Sequence, residues 1–378
     1  MKTLPQIIRA EIAANGVLPF ARFMELALYC PDYGYYEQQK DTVGRRGDFI
    51  TSVSTGELFG QLLAFQFANW LEELRIADCG LRIVEAGAHD GRLARDILTW
   101  LQSNRPQLFA RLEYCLLEPS TARREWQHEV LKSFAPRVRW FSGFNDPAFP
   151  QFSGIIFSNE LLDAFPIQRF GWDAKNQKWF EWGVAASAEK FVWARMPGSL
   201  APPNGERAGV RGPLKNLPSS IFHLPSSLLA VLPDGYTIET SPAAENWWRE
   251  AAGKLAGGKL VTIDYGFTGD EWFSPARVYG TLRAYFRHHI SDDPLANPGE
   301  QDLTAHVNFS AIQKAGEEAG LKTESFQTQP QFLTRILEKA ARQEKSFAEW
   351  NASRTRQVQT LTHPEHLGRA FRVLVQSR

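Results

Sequence analysis

Short apolar runs closed by a glycine turn or a carboxylate alternate along this chain with stretches whose apolar positions recur every three or four residues. Residues 81–84 form such a run, apolar and partly β-branched, which predicts a buried strand. Gly87 and Gly91 bracket a tight turn, after which Leu93, Ala94, Ile97, Leu98 and Leu101 fall at helical spacing. Residues 114–117 repeat the strand pattern and end in Glu118. Further strands are predicted at 137–141, 154–158, 259–264 and, last, 371–376. Helices are predicted over 1–12, 55–74, 309–319 and through 330–356, and another is signalled by Ser241 as N-cap with Pro242 in its first turn.

Strands alternating with helices predict an open α/β sheet. Between its fourth and fifth strands, 178–184 and 190–194 alternate aromatic and polar residues, as a small antiparallel hairpin does. A Pro/Gly/Asn-rich surface loop follows at 197–218. Residues 279–309 keep neither helix nor strand period, yet hold three histidines and several charged side chains. A stretch that long in a compact protein is usually functional, so it reads as a lid over the strand ends. The expected organisation is an N-terminal helical segment with a cofactor-side loop (1–54) and a core (55–378) carrying an insertion (167–235) and the lid (267–308).

Composition narrows the function classes. At 378 residues and 43% hydrophobic content the chain can bury a sizeable core. Forty-two basic and 42 acidic residues cancel, so no global field draws it to nucleic acid or anionic lipid. Cys30, Cys79 and Cys115 are scattered without C-x-x-C spacing, which fits a reducing compartment. No run approaches the ~18 apolar residues of a membrane span, and the first residues lack a signal or transit pattern. A cytoplasmic location is expected. The oligomeric state is not written in the sequence, a homodimer being one possibility.

The chemistry gathers at predicted strand ends. A glycine turn between strand and helix lets backbone approach a ligand and aims free N–H groups at it. The same motif also occurs as a purely structural turn. Glu85 beside it would repel a pyrophosphate but suits a cofactor bearing an ammonium group, which points to S-adenosylmethionine. Glu118, after the second strand, is placed to meet ribose hydroxyls. Asn159, Glu160 and Asp163 follow the fourth strand, where ligands of such sheets sit. Asn159 and Asp163 also read as helix caps. His288, His289 and His306 lack a metal-ligand spacing, so no metal is expected.

Longer motifs carry a resemblance. Leu18-Pro-Phe-Ala-Arg-Phe-Met-Glu-Leu-Ala-Leu-Tyr29, Pro31-Asp-Tyr-Gly-Tyr-Tyr36, Gly47-Asp-Phe-Ile-Thr-Ser52, Asn159-Glu160, Asp163-Ala164, Asp264-Tyr-Gly266, Gly280-Thr-Leu-Arg283 and Pro298-Gly-Glu-Gln-Asp-Leu-Thr-Ala-His-Val307 are similar to the MidA family of methyltransferases over nearly the whole chain. The resemblance implies a class I methyltransferase: a Rossmann-like open sheet of seven strands, the last antiparallel, using S-adenosyl-L-methionine. It implies arginine N-methylation of a protein, by analogy with the mitochondrial member. By position, Glu85, Gly87 and Gly91 would hold the methionine moiety, with His89 in the same cofactor-binding turn, and Glu118 the ribose, with Ser120 and Gln127 completing that pattern, Asn159 near the reactive end, and Thr51 and Ser52 closing over the cofactor. The chain departs from the family where His89 replaces a middle glycine, Val53-Ser54 replaces Pro-Glu, and Gln61 and Asn308 replace acids.

The expected reaction is direct in-line methyl transfer. Glu160 and Asp163 would grip a protonated guanidinium in bidentate fashion, with Asp264 and Asp302 behind them. Tyr265, Tyr285 or Phe49 would steer the cation, His288 would lie nearby in the lid, and Arg283 would anchor the lid. Two other functions stay open. One is a methyltransferase acting on a small molecule, suggested by the missing acids. The other is a non-catalytic assembly protein that keeps the fold, suggested by His89.

Overall fold

The computed structural model describes residues 2–38, 51–74, 80–198, 226–286, 289–343, 347, 350–364, 367–368 and 370–378. They pack as two compact units. One comprises Met1–Lys40, Ala164–Glu245 and Phe267–Asn308; the other comprises Asp41–Asp163, Asn246–Gly266 and Phe309–Arg378.

The second unit is built on seven strands: β1 (Leu81–Ala86), β2 (Leu112–Leu117), β3 (Val138–Phe141), β4 (Phe152–Asn159), β5 (Leu255–Phe267), β6 (Lys322–Thr328) and β7 (Phe371–Ser377). Their order across the sheet is β6-β7-β5-β4-β1-β2-β3. The pairs from β5 to β3 are parallel, whereas β7 runs antiparallel to β5 and β6. Parallel neighbours need long crossovers, which the helices Arg92–Asn104 and Thr121–Val130 supply around β2. Ile83 and Val84 of β1 and Ile155, Ile156 and Phe157 of β4 are fully buried, as befits strands packed on both faces. The helix Leu58–Glu73 packs with Arg92–Asn104, Gln329–Ala341 and Leu361 in the largest core cluster of this unit.

Three departures from the predicted elements have local causes. The helix predicted through 330–356 is two helices, Gln329–Ala341 and Ala352–Thr362, because the side chain of Asn351 accepts from Arg354 N at 3.0 Å and starts a new one. Strand β6 had no apolar run to reveal it, since Lys322–Thr328 is largely polar and pairs only with β7 at the sheet edge. The core strands are longer than their apolar centres; β5 begins at Leu255, ahead of the predicted 259.

The first unit holds a five-stranded sheet of Leu18–Pro19, Gln168–Asp173, Lys178–Ala186, Phe191–Arg195 and Thr237–Thr240. The predicted hairpin is its Lys178–Ala186 and Phe191–Arg195 pair, in register from Trp182↔Arg195 to Ala186↔Phe191. Segment 267–308, expected as an irregular lid, contains a three-stranded antiparallel sheet of Arg283–Phe286, His289–Ser291 and Asp302–Thr304. Strands of three or four residues are too short to display a period. Ala284, Leu303 and Ala305 are buried here with Phe20, Phe23 and Met24. Of the predicted loop 197–218, only 197 and 198 belong to the described residues.

Candidate active site

The strand order of the second unit reverses beside β1, which lies between β4 and β2. Ligands of open α/β sheets bind outside the carboxyl ends of the strands at such a switch point. The β1–β4 register ends at Ala86↔Ser158, so the turn after β1 and the loop after β4 leave the sheet side by side.

After β1 the backbone is left-handed at alternate residues: Gly87 at φ 76°, His89 at 47° and Gly91 at 85°. That conformation costs an L-residue about 1–2 kcal/mol, which explains why glycine suits the middle position His89 occupies. Gly91 then caps the helix Arg92–Asn104. About a third of the His89 side chain is exposed, and burial of the remainder lowers its pKa. Glu85 is not an open carboxylate. It is 2% exposed, accepts a hydrogen bond from Tyr114 Oη at 2.6 Å, and its pKa is pushed up to about 8, first by burial and then by Asp90 and Asp96. At neutral pH this chain by itself therefore keeps a proton on Glu85.

Glu118 follows β2 with both oxygens oriented by its own loop. Oε1 accepts from Ser120 N at 2.9 Å and lies 3.4 Å from Arg123 Nε, while Oε2 accepts from Gln127 Nε2 at 3.1 Å. Ser120 caps the helix Thr121–Val130 by accepting from Arg123 N.

The loop after β4 is the second strained element. Glu160 adopts φ 51° and donates its N–H to Ile263 O at 2.9 Å. Its Oε1 accepts from Asn159 Nδ2 at 3.1 Å and Ser52 N at 3.3 Å. Asp264, fully buried in β5, receives the next three amides on Oδ2: Leu161 at 3.2 Å, Leu162 at 2.9 Å and Asp163 at 3.4 Å. Burial, with Asp163 beside it, pushes the Asp264 carboxyl well above the usual carboxylate range, against the pull of the Tyr265 amide. Asp264 therefore shapes the loop. Asp163 accepts a short hydrogen bond from the Tyr265 hydroxyl. The Tyr265 ring is held edge-on to Phe371, so it braces Asp163.

Thr51 and Ser52 lie in the same unit. Thr51 closes a reciprocal turn with Ser54, accepting its N–H at 3.1 Å. Ser52 is fully buried; its hydroxyl donates to Gln329 Oε1 at 3.1 Å, and Gln329 Nε2 donates to Leu361 O at 3.0 Å. The departure at Gln61 has a structural partner too: its Oε1 accepts from Arg354 Nη2 at 3.0 Å.

The structure thus brings Thr51, Ser52, Glu85, Gly87, His89, Gly91, Glu118, Ser120, Asn159, Glu160, Asp163 and Asp264 into one unit. Tyr285 and Asp302 belong to the other, where they are cross-strand partners and Asp302 accepts from Tyr36 Oη at 2.8 Å. His288 and Phe49 lie outside the described residues. Arg283 is exposed and donates to the carbonyl of Leu282. His289 is exposed, whereas His306 stacks on Phe267 with its pKa pushed down to about 4 by burial. Among the described residues no group of three or more His, Cys, Asp or Glu could hold a metal ion, and no helix is long and apolar enough to cross a membrane. Sequence reasoning missed Gln329, which no motif marks, and the bracing role of Tyr265, which its place after Asp264 could have suggested.

Known proteins agree with this geometry. A family model for S-adenosyl-L-methionine-dependent methyltransferases matches residues 62–327. A protein of Burkholderia thailandensis, crystallised bound to S-adenosyl-homocysteine, is 34% identical with a TM-score of 0.79, the match covering 99% of this chain and 92% of that one. The mitochondrial protein arginine methyltransferase NDUFAF7 homolog of Drosophila melanogaster is 26% identical over 339 residues, 84% of this chain and 71% of its own length. The human protein of that name is 26% identical over 81% of this chain and 67% of its own length. Both relatives are named mitochondrial, which lends the expected cytoplasmic location no support. With its mostly parallel main sheet, its strand-end carboxylates and a family match over most of its length, this chain belongs to the S-adenosyl-L-methionine-dependent methyltransferases, in agreement with its MidA-like motifs.

Proposed function

We propose that this chain methylates an arginine side chain of a protein, and that the loop after β4 is where the acceptor is held. The observation that carries the reading is the pair Glu160 and Asp163, placed at the switch point on a loop that Asp264 fixes through three backbone amides. The names of the relatives support the same acceptor.

The residues present fit the cofactor. Glu118 offers oriented acceptors to a ribose diol, and the left-handed turn at Gly87, His89 and Gly91 brings backbone to the carboxyl end of β1. Glu85, crowded by Asp90 and Asp96, gains from a nearby ammonium, which lowers its pKa. When bound, S-adenosylmethionine supplies an electrophilic methyl on a sulfonium. Glu160 and Asp163 would hold the guanidinium in line with that methyl, where in-line transfer needs the reacting atoms ~3–3.5 Å apart. The proton lost by the attacking nitrogen passes to Glu160. Ser52 anchors the far side of the loop through its N–H on Glu160, and Thr51 closes the turn that carries Ser52.

Methyl-tritiated S-adenosylmethionine added to a lysate with the purified chain tests the acceptor. Acid hydrolysis of the labelled protein fraction should release methylarginine. Label confined to small molecules would replace this reading with that of a small-molecule methyltransferase. The replacement of Pro-Glu by Val53-Ser54 favours that second reading, because the family's carboxylate gives way to a serine hydroxyl engaged with Thr51. Absence of label together with tight cofactor binding would instead point to an assembly protein.

A further inference from the structure

Gln127 is fully buried on the helix Thr121–Val130, and its amide is engaged at both ends. Nε2 donates to His89 O at 2.9 Å and to Glu118 Oε2 at 3.1 Å, and Oε1 accepts from Trp140 Nε1 at 3.0 Å. The two ends cannot be exchanged: an indole nitrogen only donates, and a carbonyl and a carboxylate only accept. Trp140 is itself held on β3 by stacking with His128, the ring centroids 3.7 Å apart. The glycine turn closes against the same side chain, for a Cβ on Gly91 would stand 3.5 Å from Gln127 Cα and Cγ.

One side chain therefore ties together the turn after β1, the carboxylate after β2 and a ring of β3. We infer that Gln127 is the positioning residue for the adenosine half of the cofactor, aiming Glu118 at the ribose and holding the carbonyl of left-handed His89 in place. This rests on the cofactor reading above. An amide donates its two hydrogens in a fixed fork, so the position of the His89 carbonyl and the direction of Glu118 are set together. Hydrocarbon at position 127 would leave the buried Glu118 carboxylate and the half-buried His89 carbonyl and Trp140 indole without this partner, and a carboxylate there would face Glu118.

Calorimetric titration with S-adenosylhomocysteine and its 2′-deoxyadenosyl analogue tests the inference without any acceptor. The wild-type chain should bind the ribose form about tenfold more tightly than the deoxy form, the worth of one good hydrogen bond to a charged group. Gln127→Met should weaken the ribose form about tenfold and shrink the discrimination to about twofold or less. Gln127→Glu should do the same, and serves if the first variant does not fold. In the intact wild type, the Gln127 side-chain amide protons, followed by selective glutamine labelling, should shift on adding adenosine but not on adding methionine. Variants that keep the discrimination, or weaken both ligands equally, would overturn the role of Gln127, as would amide protons unmoved at saturating ligand. Failure of the wild type to bind S-adenosylhomocysteine at all would instead overturn the cofactor reading.

Discussion

Two residues of the switch-point crevice, His89 and Glu160, sit in left-handed backbone although neither is glycine. Such strain persists where surrounding contacts enforce it, and it gathers at functional sites. For His89 the enforcing contact is the Gln127 amide on its carbonyl. Glycine at position 89 would relieve about 1–2 kcal/mol of conformational cost while adding about 0.5–1 kcal/mol of chain entropy in the unfolded state. His89→Gly should thus leave stability equal or slightly raised, by up to about 1.5 kcal/mol, with affinity for S-adenosylhomocysteine undiminished. Urea unfolding and calorimetry read the two quantities, and a marked loss of either would show that the imidazole itself contributes. Glu85 makes a separate prediction. Its pKa of about 8 lies above the ordinary value of 4.5, so the folded chain binds more protons than the unfolded one between those values. Its contribution to stability is full below about pH 4.5 and is lost as pH rises through 8. Between pH 5 and 8 the urea midpoint of the wild type should fall relative to that of Glu85→Gln. A difference independent of pH would contradict the protonated state assigned to Glu85.

At the scale of elements, the loop after β4 depends on a residue of the neighbouring strand. Asp264 answers three consecutive amides, so Asp264→Leu would leave them buried without that acceptor, at about 3 kcal/mol or more. Thermal unfolding should show a large drop for Asp264→Leu and a smaller one for Asp264→Asn, which keeps one oxygen. Equal stability of Asp264→Leu and the wild type would remove Asp264 from its loop-holding role. Elements were legible where burial imposes a continuous apolar run, as in β1, β2 and β4. They were illegible where it does not: β6 is a polar edge strand, and the three strands between Arg283 and Thr304 are too short to show a period. The capping by Asn351, which divides the last helical stretch, is a local signal that helical spacing alone does not register.

For the molecule as a whole, strand order does most to locate the chemistry. The sheet could be expected from alternating patterns, but its reversal point, beside which the turn after β1 and the loop after β4 emerge, follows from pairings between distant segments. Glu118, Glu160 and Asp163 were readable as candidates because each follows an apolar run. The supports that aim them, Gln127, Asp264, Tyr265 and Gln329, act through contacts over distances in sequence that no local pattern encodes, even though motifs mark all of them but Gln329. The central claim is that Glu160 acts on the acceptor while Glu118 serves the cofactor. The most direct test is transfer of tritiated methyl from S-adenosylmethionine to arginine by the wild type and Glu160→Gln, at cofactor concentrations saturating for both. The account predicts transfer about 100-fold slower or worse in Glu160→Gln, with S-adenosylhomocysteine affinity within about twofold of wild type; transfer at the wild-type rate would contradict it.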